Sequence, residues 1–365
     1  MQCNFSGERR FAPFYMDTKI LTVSPDVSDK KDIEKLKIVA EVIKDGGLVA
    51  FPTETVYGLG ANALCEAAVK KIFEAKGRPQ DNPLISHLSC AEDIEKYAYA
   101  DENEYFRKMK HLFPGPLTVI LKKREIIPDV VTAGLPNAGF RVPQNLVARK
   151  LIELSGVPIS APSANISGKP STTKAEHVVE DLYGKVDVII DGGPCDVGLE
   201  STIVTLTTEP PVLLRPGAVT LESLSDILGE VKISRSILKE MDNNEVAAAP
   251  GMKYKHYAPV SPVTLVIGSD EKFREYINRR CEKENLAILC YDEDIPHIEC
   301  RNIFPVGNGK EPIEQARLIF DALRATDECS FITGVLARCP ESKDGVNLAI
   351  YNRLLKASGF NVVKL

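Results

Sequence analysis

The sequence predicts an α/β protein of two domains, and three observations lead to this prediction. The chain has 365 residues, which is more than one ordinary domain contains. Short apolar runs typical of buried strands alternate with segments whose apolar residues recur at helical spacing. After Gly229 this pattern gives way to polar clusters of weak periodicity, which indicates a linker. We therefore expect an N-terminal tail (1–17), a first domain (18–232), a linker (233–259) and a second domain (260–365).

The first domain is predicted to alternate strands with amphipathic helices. In residues 30–47, apolar side chains recur at helical spacing and two glycines mark the helix end. Thr173 and Glu176 have the spacing of a capping box, in which each side chain binds an orphan amide at a helix start. The predicted helices are 30–47, 66–77, 146–156, 173–184 and 220–229. The predicted strands are 48–52, 117–123, 139–143, one beginning at 157, 186–193, 201–206 and 210–217.

The second domain is predicted to be a small, doubly wound, Rossmann-like α/β domain. From about residue 260 to the end, strands and helices alternate. No Gly-x-Gly-x-x-Gly fingerprint follows its first strand, so a dinucleotide-dependent enzyme is disfavoured. The predicted strands are 262–268, 286–292, 302–307 and 331–337, and the predicted helices are 270–284, 312–325 and 346–359.

Composition excludes several classes of protein. The net charge is −6, so no global basic field indicates a dedicated nucleic-acid binder, although a local basic pocket for a nucleotide stays open. The nine cysteines include no Cys-x-x-Cys pair, and the five histidines have no metal-ligand spacing, which favours reduced thiols in a cytoplasm and no zinc site. The apolar runs are too short to span a bilayer. The first residues lack the apolar core of a signal peptide, and residues 1–15 are expected to be a tail because regular patterning begins only at Lys19.

Two stretches of the first domain carry unusual polar side chains. The segment FPTETVYGLG (51–60) leaves a buried strand through two threonines, a glutamate and a tyrosine, which a plain turn does not need. In AKGRPQDNPLISH (75–87), Lys76 and Arg78 are two apart, a spacing that puts both on one side of an extended chain. Two fixed cations suit a polyphosphate, but the same residues also suit the C-terminal end of a helix, and spacing alone favours that second interpretation.

Two further stretches also allow a binding site. PISAPSANISGKPS (158–171) is rich in small and hydroxyl side chains that let a ligand approach the backbone, or it is an ordinary loop. It is not a P-loop, because Ser163 stands where that motif needs Gly and Pro170 where it needs Ser or Thr. Arg215 ends an apolar strand and needs a counter-charge, supplied either by Glu200 or by a ligand.

Taken together, these stretches resemble the threonylcarbamoyl-adenylate synthases in their two-domain form. The resemblance begins at about Lys19 and rests on seven segments in order: FPTETVYGLG, AKGRPQDNPLISH, PGPLTVIL, GFRVP, APSANISG, ESTIV with LLRPG, and PGMKYKHYAP. It implies a twisted α/β YrdC-like catalytic domain with a large open cavity, a linker that folds over that cavity, and a small Rossmann-like α/β domain.

The resemblance implies an enzyme, a nucleotidyltransferase that makes threonylcarbamoyl-AMP and pyrophosphate from L-threonine, bicarbonate or CO2, and ATP. The product serves the t6A modification of ANN-decoding tRNAs and passes to a tRNA threonylcarbamoyl transferase, with weak or indirect tRNA binding at most. Mg²⁺ is expected to bind through ATP and not through protein side chains. Lys76 and Arg78 are implied to be catalytic. The implied ATP contacts are Lys76, Arg78, Asn82, Ser163, Asn165, Arg215 and Tyr257. The implied threonine contacts are Thr53, His87, Arg141, Ala161 and Ser201.

The linker is expected to act as a lid over the ATP side of the site. The residues concerned are Lys253, Tyr254, Lys255, His256 and Tyr257. The alternative is a solvated hinge. Two other functions stay open: an RNA-binding module whose cations hold phosphates, and a carbamoyl-adenylate enzyme like the hydrogenase-maturation carbamoyltransferases, which use carbamoyl phosphate. Net charge disfavours the first, and the absence of zinc-finger cysteines disfavours the second. The sequence indicates no general base and no role for Glu54.

Overall fold

The structure, a computed structural model, describes residues 17–240, 247–252 and 256–365. The expected tail at 1–15 and the linker residues Lys253, Tyr254 and Lys255 therefore lie outside the described residues. Within the described ranges, no helix combines the length and the apolar character that crossing a bilayer requires.

The first domain is built on an eleven-stranded mixed sheet. Its strands are β1 (Lys19–Thr22), β2 (Val49–Phe51), β3 (Gly58–Asn62), β4 (Ile85–His87), β5 (Leu117–Lys122), β6 (Asn137–Arg141), β7 (Ile159–Ser160), β8 (Val188–Asp191), β9 (Thr202–Thr205), β10 (Val212–Arg215) and β11 (Lys232–Ile233). Their order in the sheet is β1-β8-β2-β3-β7-β4-β6-β5-β9-β10-β11. The helices are α1 (Lys30–Lys44), α2 (Glu66–Lys76), α3 (Ile94–Tyr97), α4 (Glu104–Met109), α5 (Asp129–Thr132), α6 (Leu146–Ser155), α7 (Ala175–Leu182) and α8 (Leu221–Leu228).

The second domain is a five-stranded, fully parallel sheet with three α-helices. Its strands are β12 (Val263–Ile267), β13 (Leu286–Cys290), β14 (Asn302–Pro305), β15 (Gly334–Arg338) and β16 (Val362–Lys364), in the order β14-β13-β15-β12-β16. Its helices are α9 (Asp270–Cys281), α10 (Pro312–Ala325) and α11 (Asn347–Ala357). Short 3₁₀ segments cover Lys110–Leu112, Arg235–Ile237, Asp292–His297 and Thr326–Glu328. The predicted α/β class, with a second Rossmann-like parallel sheet, is confirmed.

Short strands with glycine or polar residues escaped the sequence analysis. β3 reads GLGAN, which has neither β-branched residues nor clean alternation. Gly60 belongs there because a Cβ at this position would stand 2.6 Å from Ile159 Cγ2, across the neighbouring strand. β11 begins at Lys232, so part of the expected linker pairs with β10 and extends the large sheet.

The predicted capping box at Thr173 and Glu176 is wrong. α7 begins at Ala175, and Lys174 precedes it without a side-chain cap. The amide of Thr173 instead donates to Nδ1 of His177, at 3.3 Å. The reason is tertiary, because Asp321 of α10 holds the other ring nitrogen of His177 at 3.1 Å and so orients that ring.

The two domains share an apolar core. Val56, Leu199 and Tyr257 pack in one cluster with residues of the second domain, including Phe320 of α10. The approach is close at Gly198, where an added Cβ would stand 2.4 Å from Arg317 Cα. A glycine is therefore required where this loop meets α10.

Candidate functional site

A cavity lies where the linker meets the first domain, and its empty space, including the open solvent at its mouth, is about 700 Å³. The structure brings ten of the twelve predicted site residues to its wall: Thr53, Lys76, Arg78, His87, Arg141, Ala161, Ser163, Asn165, Arg215 and Tyr257. The two others, Asn82 and Ser201, are not among its lining residues. Both are almost completely buried, at 1% and 0% exposure.

Lys76 reaches the cavity because α2 ends in a Schellman motif. Gly77 adopts a left-handed conformation, with φ +61°, and the amide of Arg78 donates to Phe73 O at 2.9 Å. Lys76 is the last helical residue, so the expected pairing with Arg78 on one side of an extended chain is wrong. Its Nζ does not cap its own helix, but donates to the carbonyl oxygens of Ser163 (2.5 Å) and Asn165. Burial, reinforced by the charge of Arg78, holds the pKa of Lys76 well below its ordinary value.

The loop after β7 carries Ser163 and Asn165. A backbone bond from Ala164 N to Tyr57 O (2.8 Å) fastens this loop to the chain before β3. The Ser163 hydroxyl donates to Oδ1 of Asn165 at 2.5 Å, and Asn165 Nδ2 donates to Lys169 O at 3.0 Å. The loop therefore turns its small residues around the Lys76 ammonium, so that Lys76, Ser163 and Asn165 form one unit.

Arg78 and Asn82 lie in the turn that follows α2. Arg78 Nη2 donates to the carbonyl oxygens of Asn82 (3.5 Å) and Pro83 (3.3 Å). Asn82 thus supports the guanidinium of Arg78 through its backbone carbonyl.

Arg215 is a buried cation whose described partners are uncharged. Its Nε donates to Ser201 O at 3.0 Å, its Nη2 to Ser201 Oγ at 3.1 Å, and its Nη1 to Pro250 O at 3.4 Å. Burial lowers the pKa of Arg215 to about 10. The counter-charge proposed from the sequence, Glu200, forms its ion pair with Arg353 of α11, at 2.7 Å. Ser201 therefore orients Arg215 through two hydrogen bonds and is not itself among the lining residues.

The segment PTET forms a turn that anchors Arg141. The Thr53 hydroxyl accepts the amides of Thr55 and Val56, both at 3.2 Å, and donates to Val56 O at 2.6 Å. Glu54 is buried and pairs with Arg141 Nη2 at 2.7 Å. Glu54 had no predicted role. A buried arginine at a strand end needs a counter-charge, however, and Arg141 ends β6 just as Arg215 ends β10, so a carboxylate partner for Arg141 was predictable.

His87 stands beside Arg141 at this end of the cavity. Its Nδ1 lies 3.2 Å from Ile85 O, and Phe51 packs edge-on against the ring, with the two ring centroids 6.3 Å apart. Burial and the neighbouring Arg141 lower the pKa of His87 to about 3. The imidazole is therefore neutral at physiological pH and presents a hydrogen bond, not a charge.

The described linker residues close one wall of the cavity. Tyr257 takes a left-handed conformation, with φ +66°, which is strained for an aromatic residue. Its ring packs on Phe320 of α10, with centroids 5.1 Å apart. His256 lines the cavity beside it, and its buried Nε2 has no partner among the described residues. Burial, with Arg78 and Lys356 adding repulsion, lowers the pKa of His256 to about 3.

The cavity wall is strongly cationic. Five of its residues carry positive charge, namely Lys76, Arg78, Arg141, Lys169 and Arg215. Glu200 is the one carboxylate among the described lining residues. The described ranges contain no group of three or more His, Cys, Asp and Glu side chains placed to hold a metal ion. Such a wall suits a polyanionic ligand with several phosphate groups.

Comparison with known proteins was made against families, curated sequences and solved structures. Residues 41–217 match the family described as "Telomere recombination" (Sua5, YciO and YrdC), and residues 219–359 match "Threonylcarbamoyl-AMP synthase, C-terminal domain". The threonylcarbamoyl-AMP synthase of Pyrococcus abyssi is 46% identical over 354 residues, covering 94% of this chain and 100% of the relative. That of Bacillus subtilis is 40% identical, covering 93% and 98%.

Solved structures give the same picture. Pyrococcus abyssi Sua5 complexed with L-threonine superposes with a TM-score of 0.87 at 45% identity, covering 95% of this chain and 100% of that one. Escherichia coli YciO superposes with a TM-score of 0.50 at 26% identity, covering 55% of this chain and 96% of that one. The likeness to Sua5 spans both domains, whereas the likeness to YciO covers about half of the chain.

Proposed function

This chain belongs to the threonylcarbamoyl-AMP synthase family, and we propose that it makes threonylcarbamoyl-AMP and pyrophosphate from L-threonine, bicarbonate or CO2, and MgATP. The reaction class is nucleotidyl transfer. The observation that carries the proposal is the unit formed by Lys76, Ser163 and Asn165, with Arg215 in the same cavity wall. Lys76 and Arg215 are buried cations whose described hydrogen-bond partners are uncharged oxygens, so they attract the phosphates of a nucleotide.

The chemistry needs alignment and charge compensation more than proton transfer. The amine of threonine adds to CO2, losing a proton, to give a carbamate. A carbamate oxygen then attacks the α-phosphorus of ATP, forming a new P–O bond, while the bond between the α-phosphorus and the bridging oxygen breaks and pyrophosphate leaves. Both reactants are anionic, so the residues act by holding them together: Lys76 and Arg78 on the phosphates, and Arg141 on the amino acid.

Threonine is proposed to bind at the end of the cavity formed by Thr53, His87, Arg141 and Ala161. Arg141 Nε is buried and has no hydrogen-bond partner among the described residues, so it is available to a carboxylate ligand although Nη2 is held by Glu54. The neutral His87 offers a hydrogen bond without adding charge. The relative of known structure that binds L-threonine, Pyrococcus abyssi Sua5, supports this placement.

Mg²⁺ is proposed to arrive with ATP as part of the substrate. The donor set of the wall fits this proposal, because Glu200 is already bound by Arg353 (2.7 Å) and by the Ser171 hydroxyl (2.5 Å). Phosphate oxygens would therefore hold the ion, which would offset charge on the transferring group. We further propose that the reaction takes place in the cytoplasm, that the product passes to a tRNA threonylcarbamoyl transferase, and that any tRNA binding by this chain is weak or indirect.

The test is pyrophosphate release by the purified full chain with ATP, Mg²⁺ and bicarbonate, adding each amino acid in turn. Release should require both L-threonine and bicarbonate, and should be lost in Lys76→Ala and Arg78→Ala. Lys70→Ala is the matched control, because Lys70 lies on the same helix in an exposed pair with Glu66 (2.7 Å). Release that requires carbamoyl phosphate would instead indicate a carbamoyltransferase relative. The absence of release, together with a positive gel-shift titration, would favour RNA binding.

The lid is tested by deleting residues 250–258. Met252, His256 and Tyr257 contact the second domain or the cavity wall, so the deletion should weaken ATP use and leave the first domain folded. Unchanged steady-state kinetics in this variant would contradict the lid.

A further inference from the structure

Glu200 is a conspicuous group in a cavity proposed to bind ATP. It is 6% exposed and lies among cations, yet its own charge would repel a polyphosphate. Its partners include Ser171, which donates to Oε1 at 2.5 Å, Arg353, whose Nε donates to Oε2 at 2.7 Å, and the Tyr257 hydroxyl. Burial alone would raise the pKa of Glu200, but Arg353 and Arg215 outweigh burial and hold this pKa below its ordinary value. Glu200 is thus a carboxylate that stays ionised next to the proposed phosphate site.

Arg353 comes from the second domain and is completely buried, at 0% exposure. Each part of its guanidinium has a partner: Nε binds Glu200, Nη1 donates to Asn352 Oδ1 at 2.7 Å, and Nη2 donates to Pro216 O at 3.0 Å. Pro216 directly follows Arg215. The fork of Arg353 therefore fixes both the carboxylate and the backbone beside Arg215 without lining the cavity itself.

We propose that Arg353 is a positioning residue for ATP, through which the second domain neutralises the carboxylate of the first domain's cavity. With Arg353 in place, Glu200 adds no net repulsion and the field of Arg215 acts on the nucleotide. Without Arg353, an unpaired negative charge faces the phosphates. The inference rests on the proposed function only in taking ATP as the ligand.

The same helix also holds the linker. Lys356, one turn after Arg353 on α11, donates to Met252 O at 3.0 Å. The Arg353 guanidinium lies 5.6 Å from the centroid of the Tyr257 ring. Helix α11 thus joins three parts of the site, namely the carboxylate, the strand end at Pro216 and the linker, so a second-domain residue can change ATP affinity from outside the cavity.

The experiment compares Arg353→Gln, Glu200→Gln and the double variant by equilibrium titration with ATP and by initial rates. Arg353→Gln should raise the Kd and the KM for ATP by about tenfold or more, with kcat at saturating ATP changed by less than about threefold. Glu200→Gln should bind ATP at least as tightly as the wild type, because it leaves the Arg353 cation uncancelled. The double variant should return to within about threefold of the wild-type Kd, because it removes both charges.

Arg338→Gln is the matched control for lost stability. Arg338 is also a second-domain arginine, 6% exposed, and it pairs with the buried Asp294 away from the cavity. Its replacement should lower thermal stability without moving the Kd for ATP. If Arg353→Gln does not fold, the double variant still tests the proposal through its Kd for ATP, because it leaves neither a buried carboxylate nor a buried guanidinium unpaired.

Three results would overturn the inference. One is a double variant that binds ATP as weakly as Arg353→Gln, which indicates a purely structural role. Another is Glu200→Gln binding ATP about tenfold more weakly, which would make Glu200 a ligand-binding group. The third is an unchanged Kd in folded Arg353→Gln. Wild-type protein that binds ATP but releases no pyrophosphate would refute the proposed function and leave the Arg353 titration valid, whereas wild-type protein that does not bind ATP would refute both.

Discussion

The cations of the cavity wall are held in two different ways. Arg141 is paired with a buried carboxylate, Glu54, at 2.7 Å. The described hydrogen-bond partners of Lys76 and Arg215 are instead carbonyl and hydroxyl oxygens. Carbonyl dipoles orient a cation but do not cancel its charge, whereas a carboxylate does.

This difference shows where in the cavity an anion is attracted. Around Lys76 and Arg215 a net positive field remains, which suits a polyphosphate. Around Arg141 and Glu54 the two charges cancel and one donor, Arg141 Nε, stays open, which suits a small amino acid carrying both charges. Three substitution series test the comparison, in order of decreasing expected effect.

Breaking the Arg141–Glu54 pair should have the largest effect. Arg141→Met leaves Glu54 buried without its partner, so the free energy of unfolding should fall by about 3–5 kcal/mol. The double variant Arg141→Met with Glu54→Gln should recover most of that stability but not threonine-dependent pyrophosphate release. Urea denaturation and the release assay measure the two effects separately.

An exposed pair provides the control for this series. Lys37→Met breaks the ion pair of Lys37 with Glu34, whose side chains are 53% and 66% exposed, and should change stability by less than about 1 kcal/mol. If the double variant Arg141→Met with Glu54→Gln is as unstable as Arg141→Met alone, the broken Arg141–Glu54 pair is not the source of the lost stability.

Removing Arg215 should reduce ATP use strongly and stability only moderately. No carboxylate among its described partners is left unpaired, so Arg215→Met should lose less stability than Arg141→Met. Its kcat/KM for ATP should fall by about a hundredfold, because one preorganised charge is lost from the proposed phosphate site. If Arg215→Met destabilises the fold as much as Arg141→Met while ATP use is kept, the proposed contrast between the paired Arg141 and Arg215 is wrong.

The buried histidines of the cavity wall, His87 and His256, should have a smaller effect on stability that depends on pH. The folded pKa values of His87 and His256 are both lowered to about 3, below the value of about 6.5 in the unfolded chain. Between these two values the unfolded chain binds more protons, so stability is complete above pH 6.5 and is lost as the pH falls. Each histidine should lower the free energy of unfolding by about 2 kcal/mol as the pH falls from 7 to 5.

Thermal or urea unfolding at several pH values checks this expectation. His256→Gln should remove about 2 kcal/mol of the acid-induced loss. His111→Gln is the control, because His111 is exposed on the surface, and it should follow the wild-type curve. Identical acid sensitivity in His256→Gln and the wild type would show that the buried neutral imidazole is not the cause.

Much of the fold was predictable from local pattern. Helices α1, α6 and α10 show one apolar face each and appear close to the predicted bounds, as do the buried strands β5 and β13. β3 and β11 were not predicted, because a glycine-rich strand and a two-residue polar strand are stabilised by their neighbours and not by their own propensities.

The site was predictable in its membership but not in its pairing. Resemblance to a family brought together ten residues that line one cavity. The sequence did not show that Ser201 and Asn82 are absent from the lining residues. Nor did it show the ion pair of Glu54 with Arg141 or that of Glu200 with Arg353. Arg353 carried a signal, because it lies three and four residues after Ile350 and Ala349 on the apolar face of a helix, where an arginine needs a buried partner.

By itself, the sequence determined the α/β class and the succession of elements, because periodicity, glycine positions and side-chain type act locally, and its resemblance to a family indicated the candidate site residues. The tertiary structure decided which charges cancel and which remain. Glu200 and Arg353 are separated by 153 positions and Glu54 and Arg141 by 87, and such pairs form only when distant elements pack. In a buried site of low dielectric, those pairings decide where a positive field remains for a ligand.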